Sequence, residues 1–540
     1  MRSRRSACRS PSNARSNAMK RLATACLLAA LAVPAAAQQL TIGFKAAVDG
    51  SDPHLNYTPN RNVQLHVYEP LVLQDEFLKP IPGAASFWRL VDPTTWEFTL
   101  REGLTFHDGT PVTADDVVFS IRRARAITGL RTFVVQTRSV AAVEAKDART
   151  VVIRTNGPAP LLPNQLAVIA IVSARATEGA TEADFNGGRA AIGTGPYRWV
   201  RFTPGQEVVL ERAASHWRPQ EPWQRVSFRF IPNDSSRVAA LLAGDVDVID
   251  NVPPSLATRL RESERTQVVS GPGMFTLYMY LDHFRDQVVF ATGADGQPLP
   301  RNPIRDARIR QAMNLAINRV ALAERGMEGF ADPMGQFAAP GFIGHVPSIG
   351  VAPHDPARAR TLLAEAGYPN GFNLTIQCTN DRFAGDARVC QAIGQMLSSV
   401  GIRTTVEALP SAVFFRRANG GQGLDPEFTA FLAIFASSTG VASESMATIL
   451  RTRNAARGHG SLNRGRYSNA EFDAALDRVD AAFDEAERDR LNAIATRIAI
   501  EDNAILPIIS LRAGYGVRRG LTLQPRGDGY TFATAIRPAQ

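Results

Sequence analysis

The chain has 540 residues, 45% of them hydrophobic and 21% charged, with Lys+Arg 60 against Asp+Glu 51 for a formal charge of +9. At roughly 100–200 residues per domain this length predicts two to four domains, and the ordinary composition excludes a disordered or fibrous chain. A basic excess raises nucleic acid as a partner, but here most of it is local. Arg2, Arg4, Arg5, Arg9, Arg15, Lys20 and Arg21 lie within residues 1–37, which hold no acid. No block of five or more like charges follows, so nucleic-acid binding has no support. From Lys20-Arg21 the chain enters an apolar run, 22–33, then Pro34 and Ala35-Ala36-Ala37. These are the parts of a secretory signal peptide cleaved near Ala37. A membrane span needs roughly 20 apolar residues, and this run stops short at Pro34. Met19-Lys20-Arg21 has the form of a signal-peptide start, which makes 1–18 an upstream extension. Cleavage takes Cys8 and Cys26 with the leader and lowers the charge from +9 to +2.

In chain order, alternating apolar residues predict strands at 95–101 (Trp96, Phe98 and Leu100 on one face), 150–155, 207–212, 226–231 and 276–281. Thr113, with Asp116 three residues on, opens a helix through about Ala126. Gly271-Pro272-Gly273 marks a crossing between two units. The segment 306–325 places Ile309, Ala312, Met313, Ala316, Ile317 and Val320 on one helical face, with Arg308 and Arg310 toward solvent. Asp355-Pro356 reads as N-cap and N1 of a helix over 357–366 that Gly367 ends. A strand at 373–378 precedes a helix beginning near Asp386. Ser468 with Glu471 opens a helix carrying Phe472, Leu476 and Val479 inward, and another follows over about 485–500. The mixture is α/β.

Trp96, Phe98, Leu100-Arg101, Gly103, Phe106-His107-Asp108-Gly109, Pro111, Thr113-Ala114 and Asp116-Val117 stand in the spacing W-x-F-x-L-R-x-G-x-x-F-H-D-G-x-P-x-T-A-x-D-V. This resembles the signature of extracellular solute-binding proteins, family 5, the dipeptide, oligopeptide and nickel-chelate receptors of bacterial ABC importers. Further segments match in order: Ser51-Asp52-Pro53-His54, Gly193-Thr194-Gly195-Pro196-Tyr197, 242–247, 308–312, 362–368 and 467–476. The resemblance covers residues 40–535. It implies an α/β, two-lobed periplasmic-binding-protein fold of type II (clamshell) with an extra subdomain in the first lobe. The expected division is a leader at 1–37, a first lobe at 38–276 with the subdomain at about 79–192, a second lobe at 277–505, and a return to the first lobe over 506–540.

The implied function is a monomeric periplasmic receptor that closes on a small solute, favouring a di- or oligopeptide. It would deliver that solute to an inner-membrane ABC permease with cytoplasmic ATPases, without a cofactor, a metal or catalysis. An oligosaccharide, an opine or a nickel chelate is the alternative cargo, and a secreted hydrolase the alternative class. Most matched motifs read as fold-maintaining. The segment after Asp52-Pro53 corresponds to a cleft loop in relatives, which implies Asn56, Tyr57, Thr58 and Asn60 as neutral hydrogen-bonding groups and Arg61 as a carboxylate partner. Peptide-binding relatives carry Gly-Trp and, after two intervening residues, an Asp that takes the α-amino group; here Phe435 replaces the Trp and Ser438 the Asp. A hydroxyl cannot neutralise a buried ammonium, which leaves Glu444 or Asp425 as substitutes. In an oxidising periplasm Cys378 and Cys390 most simply form one disulfide, with free thiols or a metal pair as alternatives. The eight histidines lie scattered without helical ligand spacing, and no nucleophile, zinc or phosphate motif is present.

Overall fold

The strand Gln39–Phe44 buries Leu40, Ile42 and Phe44 and lies near the middle of a seven-stranded sheet. Across that sheet the order is Thr266–Gly271, Ala513–Arg518, Val248–Ile249, Gln39–Phe44, Arg225–Phe230, Glu207–Arg212 and Tyr197–Thr203. Gln39–Phe44 is parallel to both neighbours, so Lys45 and Asp250 emerge from the same edge. The computed structural model describes residues 39–128, 132–420 and 426–539; the leader and Asp425 lie outside the described residues.

A second seven-stranded sheet is built around Thr276–Leu281, which pairs with Ala430–Phe435 on one side and Leu506–Leu511 on the other. Phe372–Thr379 runs parallel to both Ile402–Leu409 and Ala430–Phe435. All six residues of Thr276–Leu281 are buried, where alternation had predicted a half-buried strand. Tyr278 and Tyr280 supply the difference: they pack against Phe337 and Phe431 instead of facing water. A four-stranded antiparallel sheet, Ala85–Asp92, Thr95–Leu100, Thr150–Thr155 and Val140–Ala145, forms the subdomain. The helix Ala114–Ala126 joins it in one apolar core with Phe98, Leu100, Ile121 and Ile153, and Thr113 and Asp116 make the expected capping box.

The fold is a two-lobed periplasmic-binding-protein architecture, and the chain crosses between the two large sheets twice. The first crossing is Pro272–Phe275; the second is Arg512, between Leu506–Leu511 and Ala513–Arg518. The second sheet therefore keeps Leu506–Leu511, and the return begins after it. The crossings lie against each other: Leu511 N donates to Phe275 O at 2.8 Å, and Ser510 Oγ donates to Gly273 O at 2.6 Å. A Cβ on Gly273 would stand 1.9 Å from Leu511 O, so only glycine fits.

Three local expectations change. The helix at 306–325 stops at Ala316, because the Asn318 side chain accepts from Ala321 N and starts a new turn, leaving Val320 half exposed. Arg310 is buried, donating to Asp502 O and Oδ1 and to the Ile304 and Arg305 carbonyls. Asn469, one residue past Ser468, caps Ala470–Ala481. Among the described residues, no helix is long and apolar enough to cross a membrane.

Cys378, near the end of Phe372–Thr379, is joined by a disulfide to Cys390 of the helix Asp386–Ser399, with Cα atoms 6.5 Å apart. The bond ties together the strand, the loop that carries Arg382 and the helix. A Cys378→Ala/Cys390→Ala protein should lose about 3 kcal/mol of stability in urea unfolding, and reductant should lower the wild type to match it.

Candidate functional site

The parallel strands decide where side chains can meet a solute, since ligands in such sheets gather beyond the carboxyl ends of strands. Lys45 and Ala46 follow Gln39–Phe44, Asp250 and Asn251 follow Val248–Ile249, Asp381 and Arg382 follow Phe372–Thr379, and Ala436–Ser438 follow Ala430–Phe435. These segments line two cavities. The smaller, about 330 Å³, lies between the two large sheets and takes Lys45, Thr58, Asp250 and Tyr530 from the first lobe and Phe330, Arg382 and Phe383 from the second. The larger, about 660 Å³, lies between the subdomain and the second lobe. Val134, Val135, Gln136, Arg138 and Gln165 form one wall; Phe435, Ser438, Glu444, His459 and Asp480 stand on the other.

The 54–61 loop is held from beneath. Arg123, in the subdomain helix, grips Asp52 through two bonds of 2.8 and 2.6 Å and donates to His54 Nδ1 at 3.0 Å. His54 Nε2 then donates to Ala170 O at 2.9 Å, the tautomer that both contacts require. Burial, reinforced by Arg123, lowers the His54 pKa to about 4, so the ring is neutral. Asp52 and His54 are thus the footing of the loop, as fold-maintaining motifs should be.

Thr58 alone of the loop's expected ligand residues lines a cavity, the smaller one. Asn56 Nδ2 donates to Thr132 O at 3.1 Å. Tyr57 is about a third exposed and precedes the helix Thr58–Gln64. Asn60 is buried with both ends of its amide engaged by Asp49, at 2.6 and 2.9 Å. Arg61 lies behind Tyr530, its guanidinium carbon 5.9 Å from the ring centroid, and lines neither cavity.

Phe435 and Ser438 both reach the larger cavity, where Ser438 Oγ accepts from Gln136 Nε2 at 2.8 Å. Glu444 stands on the same wall. It accepts from Gln165 Nε2 of the subdomain at 2.9 Å and from the Thr439 hydroxyl, and forms no ion pair among the described residues. Burial pushes its carboxyl above the ordinary 4.5, against the pull of those two hydrogen bonds and of the more distant Arg138. Asp480, also raised by burial, is instead paired with Arg451 at 2.8 Å. His459 is lowered to about 4 by burial and by Arg451, Arg457 and Arg138, so it is neutral. In the smaller cavity, Lys45 pairs with Asp234, Arg512 with Asp332 and Asp528 with Arg526. Arg382 is exposed on that wall and has no ion pair among the described residues.

Reading the sequence missed Arg382 and the subdomain groups Gln136, Arg138 and Gln165. A charged pair straight after a strand, as in Asn380-Asp381-Arg382, could have signalled the first. The subdomain residues meet Ser438 and Glu444 only across about three hundred residues of chain, and no local pattern encodes that meeting.

Residues 79–456 match the family model for bacterial extracellular solute-binding proteins, family 5 Middle. The glutathione-binding protein GsiB of Escherichia coli (strain K12) is 27% identical over 480 residues, which is 88% of this chain and 89% of that protein. HbpA2 from Haemophilus parasuis superposes with a TM-score of 0.79 at 22% identity, covering 93% of this chain and 100% of that one. The periplasmic binding protein DppA from Helicobacter pylori, in complex with the peptide STSA, superposes with a TM-score of 0.72 at 21% identity, covering 93% and 98%.

Since Glu444 has a raised pKa, folding disfavours its ionised form; that penalty is present above the folded-state pKa and disappears as pH falls below 4.5. Glu444→Gln should therefore melt above the wild type at about pH 8, with the gap narrowing toward about pH 5. Differential scanning calorimetry across that range checks it; a gap that widens on acidification contradicts the assignment.

Proposed function

Because the chain belongs to the bacterial extracellular solute-binding proteins of family 5, we propose that it is the periplasmic receptor of an ABC importer, capturing a small amine-bearing, peptide-like solute by lobe closure. The observation that carries the reading is Glu444, a buried carboxylate on the wall of the larger cavity that forms no ion pair with any cation of the described protein and feels Arg138 only at longer range. A buried carboxylate without a counter-ion is costly, and a ligand ammonium supplies the missing charge. Glu444 thereby takes the part that Ser438 cannot. Phe435, Val134 and Val135 give the cavity an apolar side for the remainder of the solute. Thr58 and Arg382 lie on the neighbouring cavity, where a longer solute extends. Asn56 and Tyr57 position the loop between the cavities, and Asn60 and Arg61 support it from behind.

Glutathione, the ligand in the name of the relative GsiB, belongs in the first panel of compounds, with di- and tripeptides, an oligosaccharide, an opine and a nickel–histidine chelate. In a thermal-shift screen, a bound peptide at 100 times its Kd should add about 2.7 kcal/mol of stability. Glu444→Gln should weaken that peptide at least about tenfold in titration calorimetry. A melt shifted by the sugar or the chelate alone would overturn the cargo. The leader at 1–37 accounts for export, and protein recovered from the periplasm should have the intact mass of a chain beginning at Gln38.

A further inference from the structure

The larger cavity carries four charged or titratable groups, and two of them are already quiet. Asp480 is paired with Arg451 at 2.8 Å, and His459 is neutral. The two that remain line the same cavity from different parts of the chain: Glu444 from the second lobe and Arg138 from the subdomain. Arg138 is exposed, its Nη1 donates to Gly458 O at 3.2 Å, and it forms no ion pair among the described residues. Its other N–H donors are free to form the planar fork that matches a carboxylate. The apolar lip of Val134 and Val135, which are 50% and 60% exposed, precedes it on the same segment. Two opposite charges on one cavity that are not joined in an ion pair, although Arg138 acts on Glu444 at longer range, select a solute that brings both complements.

We propose that Arg138 reads a carboxylate of the solute, so that the cargo is a zwitterion held by its ammonium at Glu444 and by its carboxylate at Arg138. The subdomain then determines specificity and is more than a spacer, since it supplies the group that rejects amines lacking an acid. This rests on the Glu444 reading above, and the test separates the two.

Mature wild type, Arg138→Gln, Arg138→Lys and Glu444→Gln are incubated with mixed-sequence tripeptides carrying either free or amidated C termini, and retained peptide is quantified by native mass spectrometry. Wild type should favour the free acids about tenfold to hundredfold. Arg138→Gln should bring that ratio close to one with an unchanged melting temperature, because the side chain is exposed; Arg138→Lys should keep an intermediate preference. An undiminished acid preference in Arg138→Gln, or equal retention of acid and amide by wild type, overturns the role of Arg138 while leaving Glu444 in place. If wild type retains neither library, the Glu444 reading fails and this inference fails with it.

Discussion

Everything that this protein does with a solute depends on the close approach of two crossing strands. Gly273 and Leu511 meet where a single Cβ would clash at 1.9 Å, and the hydrogen bonds from Leu511 N and Ser510 Oγ lock the crossings side by side. A double crossing of this kind lets two rigid sheets swing about one line while keeping their facing edges in register. The residues beyond the carboxyl ends of the parallel strands are carried on those edges. Binding is therefore a matter of which charges the edges bring together.

Most charges near the cavities are neutralised by the protein itself. Arg451 takes Asp480, Arg526 takes Asp528, and Arg512 takes Asp332. Against that background Glu444, Arg138, Asp381 and Arg382 stand out: charged groups on cavity walls that form no ion pair among the described residues. Glu444 is kept from being an orphan by Gln165 and Thr439, whose hydrogen bonds hold its two oxygens without cancelling its charge. Gln165 comes from the subdomain, so the state of that carboxylate is coupled to how the subdomain sits on the second lobe.

The fold was legible in the sequence to a large extent because its signals are local. Thr113 and Asp116 announced a helix start, Asp355-Pro356 another, and Trp96, Phe98 and Leu100 a strand face; each depends on neighbours within a turn or a pleat. Where local signals misled, a tertiary partner or a competing local cap had intervened. Arg310 belonged by periodicity to solvent, yet the Asp502 carbonyl and carboxylate give its guanidinium enough partners to be buried. Val320 belonged by periodicity to a core face, yet Asn318 restarted the helix and turned it outward.

By itself, the sequence determined the α/β class, the helix caps at Thr113 and Asp355 and the family signature, since these are fixed by residue type and short spacing. It also brought Phe435, Ser438 and Glu444 into view as one neighbourhood. Only the tertiary structure decided that Ser438 is engaged by Gln136, that Arg61 packs against Tyr530 and lines neither cavity, and that Glu444 and Arg138 line one cavity. The reason is physical: the charge a group presents to a ligand is what remains after its spatial neighbours have neutralised it, and those neighbours are hundreds of residues away along the chain.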